Sequence, residues 1–254
     1  MRTGYHIVIP ARLASERLPD KPLLEISGKP MIEHVYRRAG ESSAQSVVVA
    51  TDSRRVCDTV KAFGGEAVMT AQGHQSGTDR IYECAERMGW PEDAVVVNLQ
   101  GDEPLMPAAC LDQAAGLLAQ SKHADVATLC WPIDSAQEVE NSNVVKVVSD
   151  ASGLALYFSR SVIPHPRNQG VEGAMRDGSE WFRHIGLYAY SVRALRAFSS
   201  LSMSRLERLE KLEQLRFLEA GYRIAVAQAC CFIPAGVDTP EDLARVRELI
   251  SVQA

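Results

Sequence analysis

Short apolar runs alternate along this chain with longer stretches in which apolar residues recur at helical spacing. The runs predict buried strands, and the amphipathic stretches predict helices that cover a sheet. The predicted strands are residues 5–9, 46–50, 94–99, 125–130, 184–190 and 224–229. The predicted helices are residues 31–41, 54–63, 77–88, 108–121, 205–220 and 240–252. This order predicts an α/β fold with a mainly parallel, Rossmann-like sheet flanked by helices.

The regular alternation stops between about residues 141 and 186. There an alternating run at 144–148 is followed by a Gly- and Pro-containing stretch at 163–178. A length of 254 residues fits one α/β domain. We therefore interpret residues 1–254 as a single domain with a small inserted lobe or flap at about 141–186, and we expect that lobe to form a dimer contact.

The loop after the first predicted strand carries Arg12, Arg17 and Lys21 within ten residues. Ligands of open α/β sheets bind outside the carboxyl ends of the strands, so these cations lie where a polyphosphate would bind. A solvated surface face is the alternative interpretation. The loop matches neither the G-x-x-x-x-G-K-[ST] phosphate loop nor the G-x-G-x-x-G dinucleotide turn, which argues against P-loop and Rossmann oxidoreductase functions.

Two acids follow other predicted strands. Asp102 stands in Gln-Gly-Asp-Glu-Pro after the third strand, and Asp238 stands in Gly-Val-Asp-Thr-Pro before the last helix. Carboxylates suit Mg²⁺, and both acids could converge at one sheet edge. Helix capping is the alternative for Asp102 and for either Asp238 or Thr239. Gly101 would allow a close backbone approach beside Asp102.

Further polar segments each have a functional and a structural interpretation. Ser76 precedes a predicted helix, where it would contact a nucleotide or simply cap the helix. Arg160 and His184 would contact a ligand, or serve as a surface cation and a structural histidine. The charges of the predicted helix 205–220 are consistent with a solvated face.

Composition narrows the function classes. The net charge of −5 offers no basic stripe for nucleic acid. No apolar run reaches the roughly 18 residues of a membrane span, and the N-terminus lacks a signal-peptide core, so we expect a cytoplasmic protein. The six cysteines form no C-x-x-C pair, which argues against zinc. We expect the thiols to be reduced and mostly buried. The adjacent Cys230 and Cys231 are the next candidates for a functional role.

The motifs, taken together and in order, resemble those of the sugar-acid cytidylyltransferase family. The first loop, A-R-L-A-S-E-R-L-P-D-K-P-L, is similar to the family signature A-R-x-x-S-x-R-L-P-x-K-P-L. H-Q-S-G-T-D-R, Q-G-D-E-P, Y-F-S-R, R-H-I-G-L-Y, L-E-R-L-E-K-L-E-Q-L-R and G-V-D-T-P-E-D-L follow. The combination resembles the branch that activates 3-deoxy-manno-octulosonate (Kdo). The long approach at residues 230–234 departs from the family pattern and puts the position of Asp238 in doubt.

The resemblance implies a nucleotide-diphospho-sugar transferase type of fold and the transfer of CMP from CTP to Kdo. The products are CMP-Kdo for lipopolysaccharide biosynthesis and pyrophosphate. It implies Mg²⁺ held by Asp102 and Asp238, with Lys21 as a third catalytic residue, in a homodimer. The implied nucleotide-binding residues are Arg12, Ser15, Arg17, Lys21, Ser76 and Gln100. The implied sugar-binding residues are Gln100, Arg160, His184, Tyr188, Glu213 and Gln214.

Two other functions stay open at this point. One is a cytidylyltransferase for an 8-amino Kdo analogue or a neuraminic acid, which competing sugars in one assay would distinguish. The other is a non-catalytic nucleotide-binding regulator. The presence of Asp102, Asp238 and Lys21 together argues against a regulator, because a protein that only binds nucleotide needs no second metal-holding acid.

Overall fold

The computed structural model describes residues 4–13, 18–74 and 76–253. The strands are β1 (Tyr5–Ala11), β2 (Glu25–Ile26), β3 (Lys29–Pro30), β4 (Ser46–Thr51), β5 (Glu66–Met69), β6 (Val95–Asn98), β7 (Val126–Pro132), β8 (Lys146–Ser149), β9 (Ala155–Ser159), β10 (Phe182–Ser191) and β11 (Ile224–Gln228). The helices are α1 (Met31–Gly40), α2 (Arg54–Ala62), α3 (Gly77–Arg87), α4 (Ala108–Gln120), α5 (Ala136–Glu140), α6 (Val171–Arg176), α7 (Val192–Ser200), α8 (Arg205–Glu210), α9 (Gln214–Glu219) and α10 (Pro240–Gln253). A short 3-10 helix spans Lys21–Leu23.

The main sheet has the strand order β11-β7-β10-β6-β1-β4-β5. β1 pairs in parallel with β4 and β6, β4 with β5, and β7 with β11. β10 runs antiparallel between β6 and β7. The prediction of a mainly parallel sheet is confirmed, and its carboxyl edge gathers the ends of β1, β6 and β11.

Both faces of the sheet are covered by helices. Ile7 and Ile9 of β1 pack into one apolar cluster, while Val8 packs into the cluster on the opposite face. All three side chains are fully buried. Alternate residues of a strand point to opposite faces, so a central strand covered on both sides has no polar face. This explains why the sequence there is continuously apolar.

The prediction of one helix over residues 205–220 is wrong in one respect, because two helices form there. Lys211 has φ 55° and ends α8 in the left-handed conformation, and α9 begins at Gln214. The side chain of Arg216 then donates to Glu207 at 2.6 and 2.7 Å, and this buried ion pair joins the two helices. The amphipathic pattern continues through the break, so periodicity alone does not show it.

The chain between residues 141 and 186 adds to the main sheet. It contains the β8–β9 hairpin, α6 and the start of β10, and β8 pairs with β10. Fully buried Lys146 donates from Nζ to three backbone carbonyls, those of Asn141, Val144 and Arg160. The described part of this segment is therefore well tied to the sheet. Its role in a dimer contact stays a prediction.

Candidate active site

Lys21, Asp102 and Asp238 meet at the carboxyl edge of the sheet. Lys21 begins the 3-10 helix after β1, Asp102 follows β6, and Asp238 lies between β11 and α10. The Lys21 ammonium donates to Asp102 Oδ2 at 2.6 Å and to Asp238 Oδ1 at 3.0 Å. Residues separated by up to 217 positions in sequence thus form one ion cluster. The long approach at residues 230–234 does not keep Asp238 from it.

The loops that carry the two acids touch through their backbones. The Val237 N–H donates to the Asp102 carbonyl at 2.8 Å. A Cβ on Gly236 would lie 2.9 Å from that carbonyl oxygen, so only glycine fits without a shift of the loops. A Cβ on Gly101 would lie 3.0 Å from the Pro10 carbonyl, which supports the predicted close approach there. Tight backbone packing therefore holds Asp102 next to Asp238.

Helix capping does not account for either acid. The N-cap of α4 is Pro107, and no described side chain caps its first turn, so Asp102 does not cap that helix. At α10, Thr239 Oγ1 accepts from the Asp242 N–H at 3.2 Å, and Asp242 Oδ2 accepts from the Thr239 N–H at 3.1 Å. Thr239 and Asp242 thus cap the helix, and the Asp238 carboxylate points to Lys21.

The cluster changes the protonation behaviour of its members. Burial lowers the pKa of Lys21, but the Asp102 and Asp238 carboxylates outweigh burial and raise the pKa overall, so the ammonium stays charged. Next to it, burial and then the charges of Asp102 and Asp238 raise the pKa of Glu103 to about 8. Sequence reasoning did not single out Glu103.

The two acids fit a divalent cation. One carboxylate oxygen from each converges on a single cationic atom, the Lys21 Nζ, so their positions already suit a shared positive charge. Hard carboxylate oxygens are the donors that Mg²⁺ takes from proteins, usually one or two together with substrate phosphates. The donor set therefore matches that ion.

A cavity of about 290 Å³ opens next to this cluster. Gln100 links the two, because it lines the cavity two residues before Asp102. β10 contributes alternate residues to one wall, and the α8–α9 junction closes another. The lining includes Gly77, Thr78, Asn98, Gln100, His184, Gly186, Tyr188, Tyr190, Phe198, Lys211, Leu212, Glu213, Gln214 and Phe217.

Three polar atoms of the cavity residues are buried without a hydrogen-bond partner in the described structure. They are Asn98 Oδ1, Tyr188 Oη and Gln214 Nε2. Leaving such a group unpaired costs about 1–3 kcal/mol. Buried polar groups in native proteins are nearly always paired, so unpaired ones in a cavity indicate contacts that a polar ligand or water completes. Together they offer an acceptor, a hydroxyl and an amide donor.

His184 and Glu213 are held by other side chains of the cavity region. His184 Nε2 lies 3.0 Å from Thr128 Oγ1, and burial lowers the pKa of His184 to about 3. The imidazole is therefore neutral at ordinary pH. Thr78 Oγ1 donates to Glu213 Oε2 at 3.0 Å across the junction of α3 and α9. The cavity thus has an ordered hydrogen-bonding wall before any ligand binds.

Comparison with known proteins identifies the family. The cytidylyltransferase family model matches residues 6–224. The 3-deoxy-manno-octulosonate cytidylyltransferase of Cellvibrio japonicus is 48% identical over 252 residues, which cover 98% of this chain and 99% of the relative. The enzyme of that name from Pseudomonas fluorescens is 50% identical over 252 residues, with the same two coverages. The chain belongs to the 3-deoxy-manno-octulosonate cytidylyltransferase family.

Solved structures agree with this assignment. A CMP:2-keto-3-deoxy-manno-octonic acid synthetase complexed with CTP superposes with a TM-score of 0.88 at 43% identity, covering 99% of this chain and 100% of that one. A 4-diphosphocytidyl-2C-methyl-D-erythritol synthase, at 15% identity and a TM-score of 0.64, shares the fold. The predicted fold class and family resemblance are both confirmed.

The structure brings most of the predicted sugar-binding residues of this family member to the cavity. Gln100, His184, Tyr188, Glu213 and Gln214 all line it. Their contact with a sugar stays a prediction, but their common location supports it.

Arg160 is the predicted sugar-binding residue that does not line the cavity. Its Nε donates to the Glu210 carbonyl at 2.7 Å and its guanidinium also donates to the Ser142 carbonyl at 3.1 Å. Ser159 Oγ donates to Glu210 Oε1 at 2.6 Å. In this structure Ser159 and Arg160 tie β9 to the end of α8, and binding of the sugar by Arg160 stays a prediction.

The predicted nucleotide-binding residues are partly visible. Arg12 directly follows β1, and Ser76 caps α3 by accepting from the Asp79 N–H at 3.0 Å. Ser76 thus has the capping role weighed above, and its contact with a nucleotide stays a prediction. Ser15 and Arg17 lie outside the described residues.

Sequence reasoning missed Asn98, Thr78 and Lys211 as cavity residues. Asn98 is the polar end of the apolar strand β6, and a buried amide at a strand end was the available signal. Lys211 is a cation at the left-handed break between α8 and α9, and no motif or period marks that break. Thr78 follows Ser76 and Gly77, and in that segment the sequence points only to Ser76.

Proposed function

We propose that this protein transfers CMP from CTP to the anomeric hydroxyl of Kdo and releases pyrophosphate. One observation carries the proposal: a Lys–Asp–Asp cluster suited to phosphates and a cation adjoins a cavity with unpaired polar atoms, and Gln100 and Asp102 of a single loop connect them. The family membership and the CTP complex of the 43% identical structure support the choice of substrates.

The basic loop meets the triphosphate in this proposal. Arg12, Ser15, Arg17 and Lys21 bind its oxygens, and Ser76 and Gln100 contact the rest of the nucleotide. When CTP binds, Lys21 gives up part of its hydrogen bonding to Asp102 and Asp238 and contacts the phosphate oxygens instead. There it neutralises negative charge that develops during transfer. A positioned cation of this kind stabilises the transition state more than the bound substrate.

Asp102 and Asp238 would hold Mg²⁺. When bound, this ion supplies Lewis-acid stabilisation of phosphate charge and favours ionisation of the attacking hydroxyl. Two carboxylates on one lysine leave an excess of negative charge at this edge of the sheet, which favours a bound cation. Dependence on Mg²⁺ is thus part of the proposal.

The cavity orients the sugar. Asn98, Tyr188 and Gln214 offer their unpaired polar atoms to sugar hydroxyls, and Lys211 offers a cation for the sugar carboxylate. Neutral His184 adds a hydrogen-bonding group without a second positive charge. The anomeric hydroxyl then attacks the α-phosphorus in line, opposite the departing pyrophosphate. No covalent enzyme intermediate is needed, so positioning and electrostatics account for the rate.

We further expect a homodimer that uses residues 141–186, and activity in the cytoplasm, where CTP is available. Among the described residues no helix has both the length and the apolar character to cross a membrane. Sedimentation of the purified protein tests the dimer, with a monomer at micromolar concentration as the contradicting result.

The proposed reaction is tested by pyrophosphate release from purified protein with CTP, Mg²⁺ and one of three sugars: Kdo, its 8-amino analogue or N-acetylneuraminate. We expect release with Kdo, and none without sugar or after chelation of the metal. Preference for another sugar would retain the mechanism and change the substrate. Binding of CTP without release in any mixture would favour a regulator and contradict the catalytic assignment.

A further inference from the structure

Three cysteines from distant parts of the chain converge at the start of α4. Cys110 lies in the first turn of that helix, and Cys230 and Cys231 follow β11. Cys110 Sγ lies 3.9 Å from Cys230 Sγ and 3.5 Å from Cys231 Sγ, and all three sulfurs lie within 4.8 Å of one another. The spacing along the sequence argued against a zinc site because it does not show Cys110 beside the other two.

We propose that Cys110, Cys230 and Cys231 form a binding site for a thiophilic metal ion of the zinc class. Zinc–thiolate bonds of about 2.3 Å at tetrahedral angles separate the sulfurs by about 3.8 Å. The observed separations of 3.5 and 3.9 Å bracket that value. The sulfurs need only small movements to bind, and a water or small-molecule ligand would complete the coordination.

The backbone around the sulfurs is already ordered. Gln113, one turn along α4 from Cys110, accepts from the Cys230 N–H and donates to the Gln228 carbonyl, both at 2.7 Å. Adjacent residues of a strand point to opposite faces. Because Cys230 and Cys231 lie beyond the end of β11, both of their sulfurs reach Cys110. A disulfide would use two of these sulfurs and leave the third unexplained.

The site is reached from solvent, and metal binding there would release protons from the thiols. Cys230 is exposed and Cys231 half-buried, so an ion reaches the cluster from solvent, whereas Cys110 forms its buried floor. Burial, with a hydrogen bond to Cys231 in second place, raises the pKa of the Cys110 thiol, so Cys110 is protonated in the metal-free protein. Binding of M²⁺ by three thiols releases three protons and leaves a complex of charge −1, with no change of oxidation state.

A bound ion would join the two segments that lead to the candidate active site. Cys110 lies eight residues after Asp102, and Cys231 lies seven residues before Asp238. The ion would restrain both segments from a position outside the Lys21 cluster. The proposal does not rest on the proposed reaction, and its test reads metal binding directly.

The test is titration of the reduced, metal-free protein with Cd²⁺, followed by thiolate-to-cadmium absorption in the ultraviolet, and then competition with Zn²⁺. We expect one Cd²⁺ per chain, displaced by Zn²⁺ and unaffected by Mg²⁺. Cys230→Ser, which alters an exposed side chain, and Cys231→Ser should each weaken binding at least tenfold. Cys57→Ala is the matched control, because it removes a thiol from α2 and should bind as the unaltered protein does.

Thermal unfolding supplies a second readout that does not depend on the absorption band. Zn²⁺ should raise the melting temperature of the unaltered protein and of Cys57→Ala, and not that of Cys230→Ser. Absence of the charge-transfer band, or an affinity in Cys230→Ser and Cys231→Ser equal to that of the unaltered protein, would overturn the proposal. A disulfide of Cys110 that forms in place of metal binding under the same reducing conditions would also overturn it.

Discussion

The Lys21 cluster and the neighbouring cavity differ in how their polar atoms are paired. Lys21 pairs with Asp102 at 2.6 Å and with Asp238 at 3.0 Å, although Asp238 is largely exposed. In the cavity, Tyr188 and Gln214 present buried atoms without partners in the described structure. The charged side chains of the cluster are thus paired with one another before substrate binds. The neutral Tyr188 and Gln214 atoms of the cavity, which only orient a ligand, have no partner among the described residues until it binds. Changes in the first region should lower the rate, and changes in the second should weaken sugar binding.

The largest effect is expected from Lys21→Met, which removes the cation and keeps much of the side-chain volume. We predict that kcat falls about 10²–10³-fold, the typical loss when one group that stabilises transition-state charge is removed. The melting temperature should change by only a few degrees, since the ion pairs are partly exposed. Lys29→Met, in exposed β3, is the matched control and should keep full activity. A similar loss in both variants would contradict a specific role of Lys21.

Gly236→Ala should have the next largest effect. Its Cβ would lie 2.9 Å from the Asp102 carbonyl oxygen and 2.8 Å from Glu103 Oε1, so the loops must separate. We predict a fall in kcat of about 10-fold or more, because small misplacements of catalytic groups are costly. Gly116→Ala is the control, since its Cβ meets nothing closer than 3.8 Å in α4. Steady-state kinetics at saturating substrates would measure the difference, and equal rates would refute the tight packing.

Tyr188→Phe should separate binding from stability. The Tyr188 hydroxyl has no partner in the described structure, so its removal should leave the free energy of unfolding unchanged or raise it slightly. The KM for Kdo should rise about tenfold if that hydroxyl binds the sugar, which corresponds to ~1.4 kcal/mol. Tyr5→Phe is the comparison, because the Tyr5 hydroxyl donates to Asp112 Oδ1 at 2.7 Å and its loss should cost about 1 kcal/mol of stability. An equal loss of unfolding free energy in the two variants, measured in urea, would contradict the assignment of the Tyr188 hydroxyl to ligand binding.

The smallest effect concerns pH. The ordinary histidine pKa of 6.5 falls to about 3 at His184 because of burial. The unfolded chain therefore binds more protons below pH 6.5, so the stability that His184 contributes is present above pH 6.5 and is lost as the pH falls toward 3. This contribution changes by at most ~1.4 kcal/mol per pH unit. Urea unfolding between pH 7 and 5 should show a shallower pH dependence of the unfolding free energy in His184→Gln than in the unaltered protein, and an unchanged dependence would contradict this assignment.

The strands were the most predictable part of the fold. β1 and β6 are buried on both faces, and the continuous apolar runs that this burial requires are visible in the sequence. β5 was missed because it lies at the sheet edge and is only partly buried. The break at Lys211 was missed because a left-handed lysine interrupts the backbone and leaves the apolar period intact.

The candidate site was predictable to the extent that its residues occur in motifs. Asp102 and Asp238 could be predicted from their places at strand ends and from the family resemblance. The sequence does not show which residues cap α10, and the side-chain positions assign that role to Thr239 and Asp242. Asn98 was hidden as the last residue of an apolar run. The neighbourhood of Cys110 could not be inferred, because 120 residues separate it from Cys230 and the contact depends on how β11 packs against α4.

The division between the cluster and the cavity is tested most directly by single-turnover pyrophosphate release over a range of Kdo concentrations in Asp102→Asn and Gln214→Met. We predict that saturating Kdo returns Gln214→Met to within a few-fold of the unaltered rate. Asp102→Asn should stay inactive at every concentration while its melting temperature remains within a few degrees. Recovery of Asp102→Asn at high Kdo, or a Gln214→Met rate that stays low at saturation, would contradict the division.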